Sequence, residues 1–174
     1  MRAMKDVHFE IERKYLIRMP DPGWLAAEAE GTEITQTYLL GDPGTTERVR
    51  RRGRDGRYVY THTVKRRLSD LRRIEDEEEI SPEEYERLLR RADPERNVIE
   101  KTRWCFTYRG QFFELDVFPF WEDRAYLEIE LRDEDQAVEL PPDLRVIREV
   151  TEDPRYTNAA LSLSIPFEEI GKEA

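Results

Sequence analysis

One cysteine in 174 residues, Cys105, leaves no partner for an intramolecular disulfide and no set for a cysteine-built zinc centre. It sits in the aromatic stretch WCFTY and is expected to be a small core residue rather than a nucleophile. Histidine is nearly as scarce. His8 and His62 are far apart in sequence, so any metal should be a hard one held by oxygen. No run approaches the ~18 consecutive apolar residues of a membrane span, and the opening MRAMKDVHFE has no apolar centre of a signal peptide. Those absences predict a cytoplasmic protein with no membrane association. Repeats, low-complexity tracts and Gly/Ser linkers are also missing, and the length suits one domain spanning 1–174. Nor is there an excess of positive charge: the net charge of −10 argues against a nucleic-acid binder, which needs a clustered positive field.

What the chain does have is charge of both signs, at 39% of residues, beside a 38% apolar fraction. Aromatics spread from Phe9 to Phe167, together with recurring strand patterns, argue against disorder. Short alternating segments bounded by turn residues predict strands at 7–18, 34–40, 46–53, 57–67, 72–80, 97–108, 111–118, 125–132 and 146–150. Asp55-Gly56 and Gly110 mark two hairpins. Ser81 as N-cap, Pro82 behind it and Glu84 three residues after the cap predict a helix over 82–92 with Tyr85, Leu88 and Leu89 on one face. Weaker helical patterns lie at 22–29, 133–137 and 157–163. The Pro141-Pro142 pair reads as a rigid turn before the last strand. The class is mainly β, of α+β type, with helices packed outside.

Side chains alternate between the faces of a strand, so residues of one parity form one surface. Glu10, Glu12 and Lys14 share a face in HFEIERKYLI, Arg48 and Arg50 in ERVRRRG, and Lys65 and Arg67 in THTVKRRL. Arg73, Glu75, Glu77 and Glu79 share another, as do Lys101 and Arg103, Glu114 and Asp116, and Glu128 and Glu130. The opposite faces of the later strands are apolar and must bury: Trp104 and Phe106, Phe113 and Leu115, Leu127 and Ile129. For any single strand the charged face could simply meet water. Repeated over some eight strands, with the sign changing between them, it is more organised than solvation requires.

Two glutamates two residues apart repel unless a cation lies between them, and an Arg-x-Arg pair asks for a polyanion whose oxygens suit the guanidinium fork. Together they describe a metal and triphosphate pocket. Closing the sheet into an antiparallel barrel of about eight strands would remove its edges and enclose that pocket. His62 lies one residue off the face shared by Thr61, Thr63 and Lys65 and is expected to stay clear of it.

The segment EIERKYLI resembles the ExExK signature of the CYTH, or triphosphate tunnel metalloenzyme, superfamily, especially its short bacterial members. The likeness continues through QTYLL, Arg48-x-Arg50, TVKRR, the RxExE segment, Lys101-x-Arg103, ELDVF, LEIEL and the tail EVTEDPRYTNAALS. It implies a closed eight-stranded tunnel holding a small-molecule triphosphate, with Mg²⁺ or Mn²⁺ on its carboxylates. Carried over, Glu10 and Glu12 would join Glu128 and Glu130 at the metal. Lys14, Arg48, Arg50, Lys65, Arg73, Lys101 and Arg103 would bind phosphates. Glu10, Glu12, Lys14 and Asp116 would make up the catalytic set, with Glu75, Glu77 and Glu114 as further acidic positions. The resemblance implies hydrolysis of inorganic tripolyphosphate to pyrophosphate and phosphate. The alternatives are a class IV adenylate cyclase, a thiamine triphosphatase, or a non-catalytic module binding polyphosphate or nucleotide. The barrel's outer surface leaves room for a homodimer. Tyr156 and Asn158 match the tail of the family, with a buried tyrosine and a helix cap as equally good explanations.

Overall fold

The computed structural model describes residues 6–69 and 72–171. Its strands are β1 (Asp6–Arg18), β2 (Glu30–Tyr38), β3 (Thr45–Arg54), β4 (Arg57–Arg67), β5 (Arg72–Ile80), β6 (Ile99–Tyr108), β7 (Gln111–Val117), β8 (Arg124–Glu130) and β9 (Val146–Glu149). The first eight follow the order β5-β4-β3-β2-β6-β7-β8-β1, all antiparallel, and β5 returns to β1, closing the barrel. The thirteen-residue β1 makes closure work. Its first half pairs with β5, Glu10 opposite Arg73, and its second half pairs with β8, Glu12 opposite Glu130 and Lys14 opposite Glu128. The ninth strand lies outside the barrel and pairs with Tyr15–Ile17, covering the part of that edge which β5 leaves.

Two hairpins turn as the sequence indicates. Asp55 and Gly56 have φ of 54° and 77°, and Arg109 and Gly110 have 47° and 74°, the paired positive values of a type I′ turn. Helix α1 (Pro22–Glu28) is capped by Asp21, whose carboxylate accepts from Trp24 N at 3.0 Å. It sets Trp24 edge-on against Phe106, ring centres 5.3 Å apart. Helix α2 (Pro82–Leu88) is capped by Ser81, buries Tyr85 against Tyr60, and tightens into a 3-10 turn over Leu89–Arg91.

Several expected boundaries and one expected helix differ, the second strand ending at Tyr38 rather than 40 and the eighth at Glu130 rather than 132. The second strand begins at Glu30, not 34, because Glu30–Glu33 pair with Thr102–Cys105 although Gly31 has no strand preference. The sixth begins at Ile99 rather than 97. Residues 133–137 form turns, not a helix: Asp133 holds the Asp135 amide and Gln136 the Arg132 amide, satisfying locally the backbone a helix would need. Asn158 is also not the cap. Thr157 caps α3 (Asn158–Leu161), freeing the asparagine side chain.

The main apolar core lies outside the barrel wall. Ile11, Phe113, Leu115, Leu127 and Ile129 project outward from the strands and are covered by α1 and by Leu131 and Leu144 of the following loop. Each such side chain contributes about 1.5–3 kcal/mol on burial. A second cluster, Leu16, Tyr38, Ile99, Phe118, Trp121, Tyr126 and Tyr156, closes one end of the barrel beneath α3. The remaining interior is polar.

Candidate active site

The inner wall is built from the same-parity residues of eight strands. A cavity of about 240 Å³ is lined by Glu10, Glu12, Arg48, Arg50, Arg52, Lys65, Glu75, Glu77, Arg103, Glu114, Glu128, Glu130 and Asn158. A second, of about 150 Å³, adds Lys14, Tyr38, Arg67 and Arg73. Glu12, Arg48, Lys65 and Asn158 line both, so the two chambers are one passage. Cations enter it from β3, β4 and β6, with Lys14 of β1 and Arg73 of β5, and carboxylates from β1, β5, β7 and β8.

Opposite charges meet across strand boundaries. Lys65 donates to Glu10 at 3.1 Å and lies 4.0 Å from Glu75, Arg73 donates to Glu12 at 2.7 Å, and Lys14 is 3.2 Å from Glu128. Arg103 grips Asp116 with Nε and Nη2 at 2.8 and 2.9 Å and reaches Glu114 at 2.8 Å. Lys101 lies 2.8 Å from Asp116 and donates to Asn158 Oδ1 at 3.0 Å. Glu77 accepts from the Thr63 hydroxyl at 2.7 Å.

The arginines of β3 are arranged differently. Arg50 has the neutral Gln36 amide oxygen as its partner at 2.9 and 3.1 Å, and Arg52 donates to Thr32 at 3.0 Å and lies 3.4 Å from the Cys105 sulfur. Arg48 is buried, and its Nε has no hydrogen-bond partner among the described residues. Burial first, then Arg48 and Arg103 beside it, push the Arg50 guanidinium down from its usual range. Three guanidinium groups concentrated this way suit an anion with several oxygens.

The carboxylates are unequal. Burial first, then Glu128 and Glu10, raise Glu12 above the ordinary carboxylate range. Burial would also raise Glu128, but Lys14 and the cations of β6 draw it down to about 2. Asp116 is held well below its usual range because Arg103 and Lys101 together outweigh burial. A depressed carboxylate adds stability above its unfolded pKa, and that stability is lost as pH falls through the folded value. The urea midpoint should therefore hold from pH 7 to about 5 and drop steadily between about 4.5 and 2. Equilibrium unfolding followed by circular dichroism across that range checks it.

All but two of the residues given a candidate phosphate, metal or catalytic role in the sequence reach the passage, while Glu79, on the same face as Glu75 and Glu77, is exposed and does not. Lys101 and Asp116 line neither chamber and lie fully buried behind Arg103. Asp116, whose oxygens are taken by two cations, orients them and does not face the passage. Sequence reasoning passed over Arg52, although its parity with Arg48 and Arg50 marked it. It also missed Gln36, Tyr38 and the side chain of Asn158, which α3 brings in from the far end of the chain. His62 points outward as expected, 2.6 Å from Glu47. Cys105 is half-buried beside Arg52 rather than in the core, and burial pushes its thiol up.

Glu10, Glu12, Glu128 and Glu130 line one chamber, and their oxygens are the donors a hard divalent ion takes. Among the described residues no three acidic, histidine or cysteine side chains converge closely enough to hold a metal, and Lys65, Arg73 and Lys14 each occupy one oxygen of Glu10, Glu12 and Glu128. The donor set fits in kind, with Lys14, Lys65 and Arg73 as the groups that must yield.

A closed barrel that is apolar outside and ion-paired inside defines a tunnel protein, whose interior is its site instead of its core. Residues 8–154 match the CYTH domain, and the chain belongs to that family. It is 37% identical over 161 residues to an inorganic triphosphatase of Nitrosomonas europaea, covering 90% of this chain and 99% of the relative. It is 36% identical to an inorganic triphosphatase of Acetivibrio thermocellus, covering 87% and 92%. The crystal structure of the inorganic triphosphatase NE1496 superposes with a TM-score of 0.58 at 36% identity, over 91% of this chain and 97% of that one. No helix among the described residues is long and apolar enough to cross a membrane.

Proposed function

We propose that the chain hydrolyses inorganic tripolyphosphate to pyrophosphate and phosphate, as one functional unit in the cytoplasm, with Mg²⁺ or Mn²⁺ as cofactor. One observation carries this reading: Arg48, buried and with its Nε unpartnered among the described residues, lines both chambers together with Lys65 and Glu12, with Arg50 and Arg52 following it along the same strand. The names of the two relatives support the substrate.

Phosphoryl transfer asks a protein mainly for positioning and for neutralising charge. Arg48, Arg50 and Arg52 present guanidinium forks at intervals of two residues along β3, matching an extended anion. Lys65 and Arg73 exchange Glu10 and Glu12 for phosphate oxygens, which frees those carboxylates. Behind them, Asp116 fixes Arg103, so its charge is aimed before substrate arrives, and Lys101 backs the pair from outside the passage. Glu10, Glu12, Glu128 and Glu130 would hold the metal, which when bound supplies charge neutralisation on the phosphate oxygens. The acidic residues that remain, Glu114 among them, accept hydrogen bonds from water and orient it.

Tripolyphosphate, ATP and thiamine triphosphate should be assayed side by side, with Mg²⁺, with Mn²⁺ and with chelator. The expected result is rapid phosphate release from tripolyphosphate, much slower release from the other two, and none with chelator. Cyclic AMP from ATP would assign the chain to the cyclases, and binding without turnover would leave a sensor.

A further inference from the structure

The last described segment, residues 164–171, forms no helix or strand, yet side chains of β1, of β8 and of the connection before β8 hold it at several points. Trp121 Nε1 donates to the Pro166 carbonyl at 3.1 Å, Arg124 Nη1 to the Glu168 carbonyl at 2.6 Å, and Arg18 to that of Gly171. The Glu168 side chain has a different set of partners. Its two oxygens accept from Arg148 at 2.7 and 3.2 Å, and one also accepts from the Tyr156 hydroxyl. Arg148 in turn donates to Asp153 at 2.9 Å, and Asp153 holds Arg155 at 2.7 and 3.0 Å while capping the 3-10 turn Pro154–Tyr156.

That turn leads straight to the passage. Tyr156 is fully buried, with the guanidinium groups of Arg148 and Arg155 at 5.2 and 5.5 Å from its ring centre. Its carbonyl oxygen accepts from Lys14 Nζ at 3.0 Å, and two residues on Asn158 Oδ1 accepts from Lys101 Nζ at 3.0 Å. Both lysines are buried, each lying over an aromatic ring: Lys14 4.8 Å from the Tyr126 centre and Lys101 5.6 Å from that of Phe118. Each also pairs with one carboxylate, Glu128 or Asp116. Two desolvated ammonium groups therefore have part of their donor capacity satisfied by a three-residue stretch. Burial, and the carboxylate beside it, push the Tyr156 phenol up to about 12, so it remains a donor to Glu168 throughout the neutral range.

We propose that Glu168 is a positioning residue for the tunnel: acting through Arg148 and the Tyr156 hydroxyl, it sets the oxygens that aim the Lys14 and Lys101 ammonium groups. Glu168 touches neither chamber, so its effect passes through the 153–158 segment. Removing its charge lets that segment shift, and Lys14, which lines the passage, loses its fixed direction. The consequence for catalysis rests on the triphosphatase reading; the consequence for the lysines does not.

Glu168→Gln, Tyr156→Phe, the double variant and Arg18→Ala provide the test, in the full chain, with melting temperature as the check on folding. Arg18→Ala loosens the same tail at Gly171 but leaves Glu168 and Tyr156 in contact. In ¹⁵N-lysine-labelled protein, Glu168→Gln and Tyr156→Phe should both move the Lys14 and Lys101 Nζ resonances, and Arg18→Ala should not. With tripolyphosphate, both single variants should raise KM about three- to tenfold with kcat within about twofold, the size of a misdirected hydrogen bond. The double variant should be no worse than Glu168→Gln alone, because the Tyr156 hydroxyl acts through Glu168. Unmoved lysine resonances in both single variants, or an equal change in Arg18→Ala, would overturn the relay and leave the tail as a stabilising strap. Failure of the wild type to turn over tripolyphosphate would sink the triphosphatase reading alone, the resonances still deciding the relay.

Discussion

Glu12→Gln should cut metal-dependent turnover of tripolyphosphate by at least about 100-fold while leaving the protein as stable as wild type at neutral pH, or more so. Glu12 lines both chambers and is opposed by Glu128 and Glu10, which together with burial hold its pKa above the ordinary range. An acid whose folded pKa is raised contributes stability below its unfolded pKa, and that contribution is lost as pH rises through the folded value. At pH 7 its ionised form is thus a cost to the fold. The amide removes the cost and keeps the volume, though Arg73, 2.7 Å away, loses a charged partner for a neutral one. Loss of activity without loss of stability is what a residue retained for chemistry should show. Steady-state kinetics at saturating Mg²⁺ together with thermal melts decides it. A Glu12→Gln variant with wild-type turnover would remove the β1 carboxylates from the proposed metal site.

Asp116→Asn should do the reverse, striking the fold first. Asp116 and Lys101 have fully buried side chains, and Arg103 spans Asp116 with two hydrogen bonds. Neutralising Asp116 takes the carboxylate in contact with Lys101 away and leaves Arg103 with Glu114 alone, so two desolvated cations face each other with half their compensation gone. Breaking a buried pair by removing one partner costs about 3–5 kcal/mol, which in a chain of this size lowers the melting temperature by roughly 10 °C. Since Asp116 is held well below its usual range, its stabilisation is present above the unfolded pKa near 3.8 and is lost as pH falls. The gap between wild type and Asp116→Asn should therefore be widest near neutrality and shrink in acid. Urea titrations at pH 7 and pH 3.5 measure both. Equal midpoints at pH 7 would mean that the cluster relaxes by taking up water, and would remove its role in aiming Arg103.

The two variants separate the two kinds of charge inside this barrel. Arg48 and Arg50 have no carboxylate partner among the described residues, and Glu12, though paired with Arg73, is crowded by burial and by Glu128 and Glu10, a state that suits groups awaiting a ligand. Lys101, Arg103 and Asp116 compensate one another and form a rigid backing. Similar residue types on neighbouring strands thus take opposite parts, according to who stands beside them.

Much of this was legible in the chain because strand alternation is local. Parity alone assigned Glu10, Glu12 and Lys14 to one face, Arg48 and Arg50 to another, and Phe113, Leu115, Leu127 and Ile129 to faces that bury. The turn residues Asp55-Gly56 and Gly110, the cap Ser81, and the absence of cysteine and histidine ligands likewise act through neighbours in sequence. These determined a mainly β protein with an apolar side and a charged side, and they carried the family resemblance. Register and closure depend on partners far apart in sequence. Only the tertiary structure placed Glu10 against Lys65 and Glu12 against Arg73, put Asp116 and Lys101 behind the wall instead of on it, and left Arg48 Nε without a partner among the described residues. Only the return of the tail brought Asn158 to Lys101 and Glu168 to Tyr156, more than fifty residues apart in the first case and twelve in the second. The reason is physical: a side chain's face follows from the backbone at that residue, whereas its partner, and with it its charge state, follows from how the barrel closes.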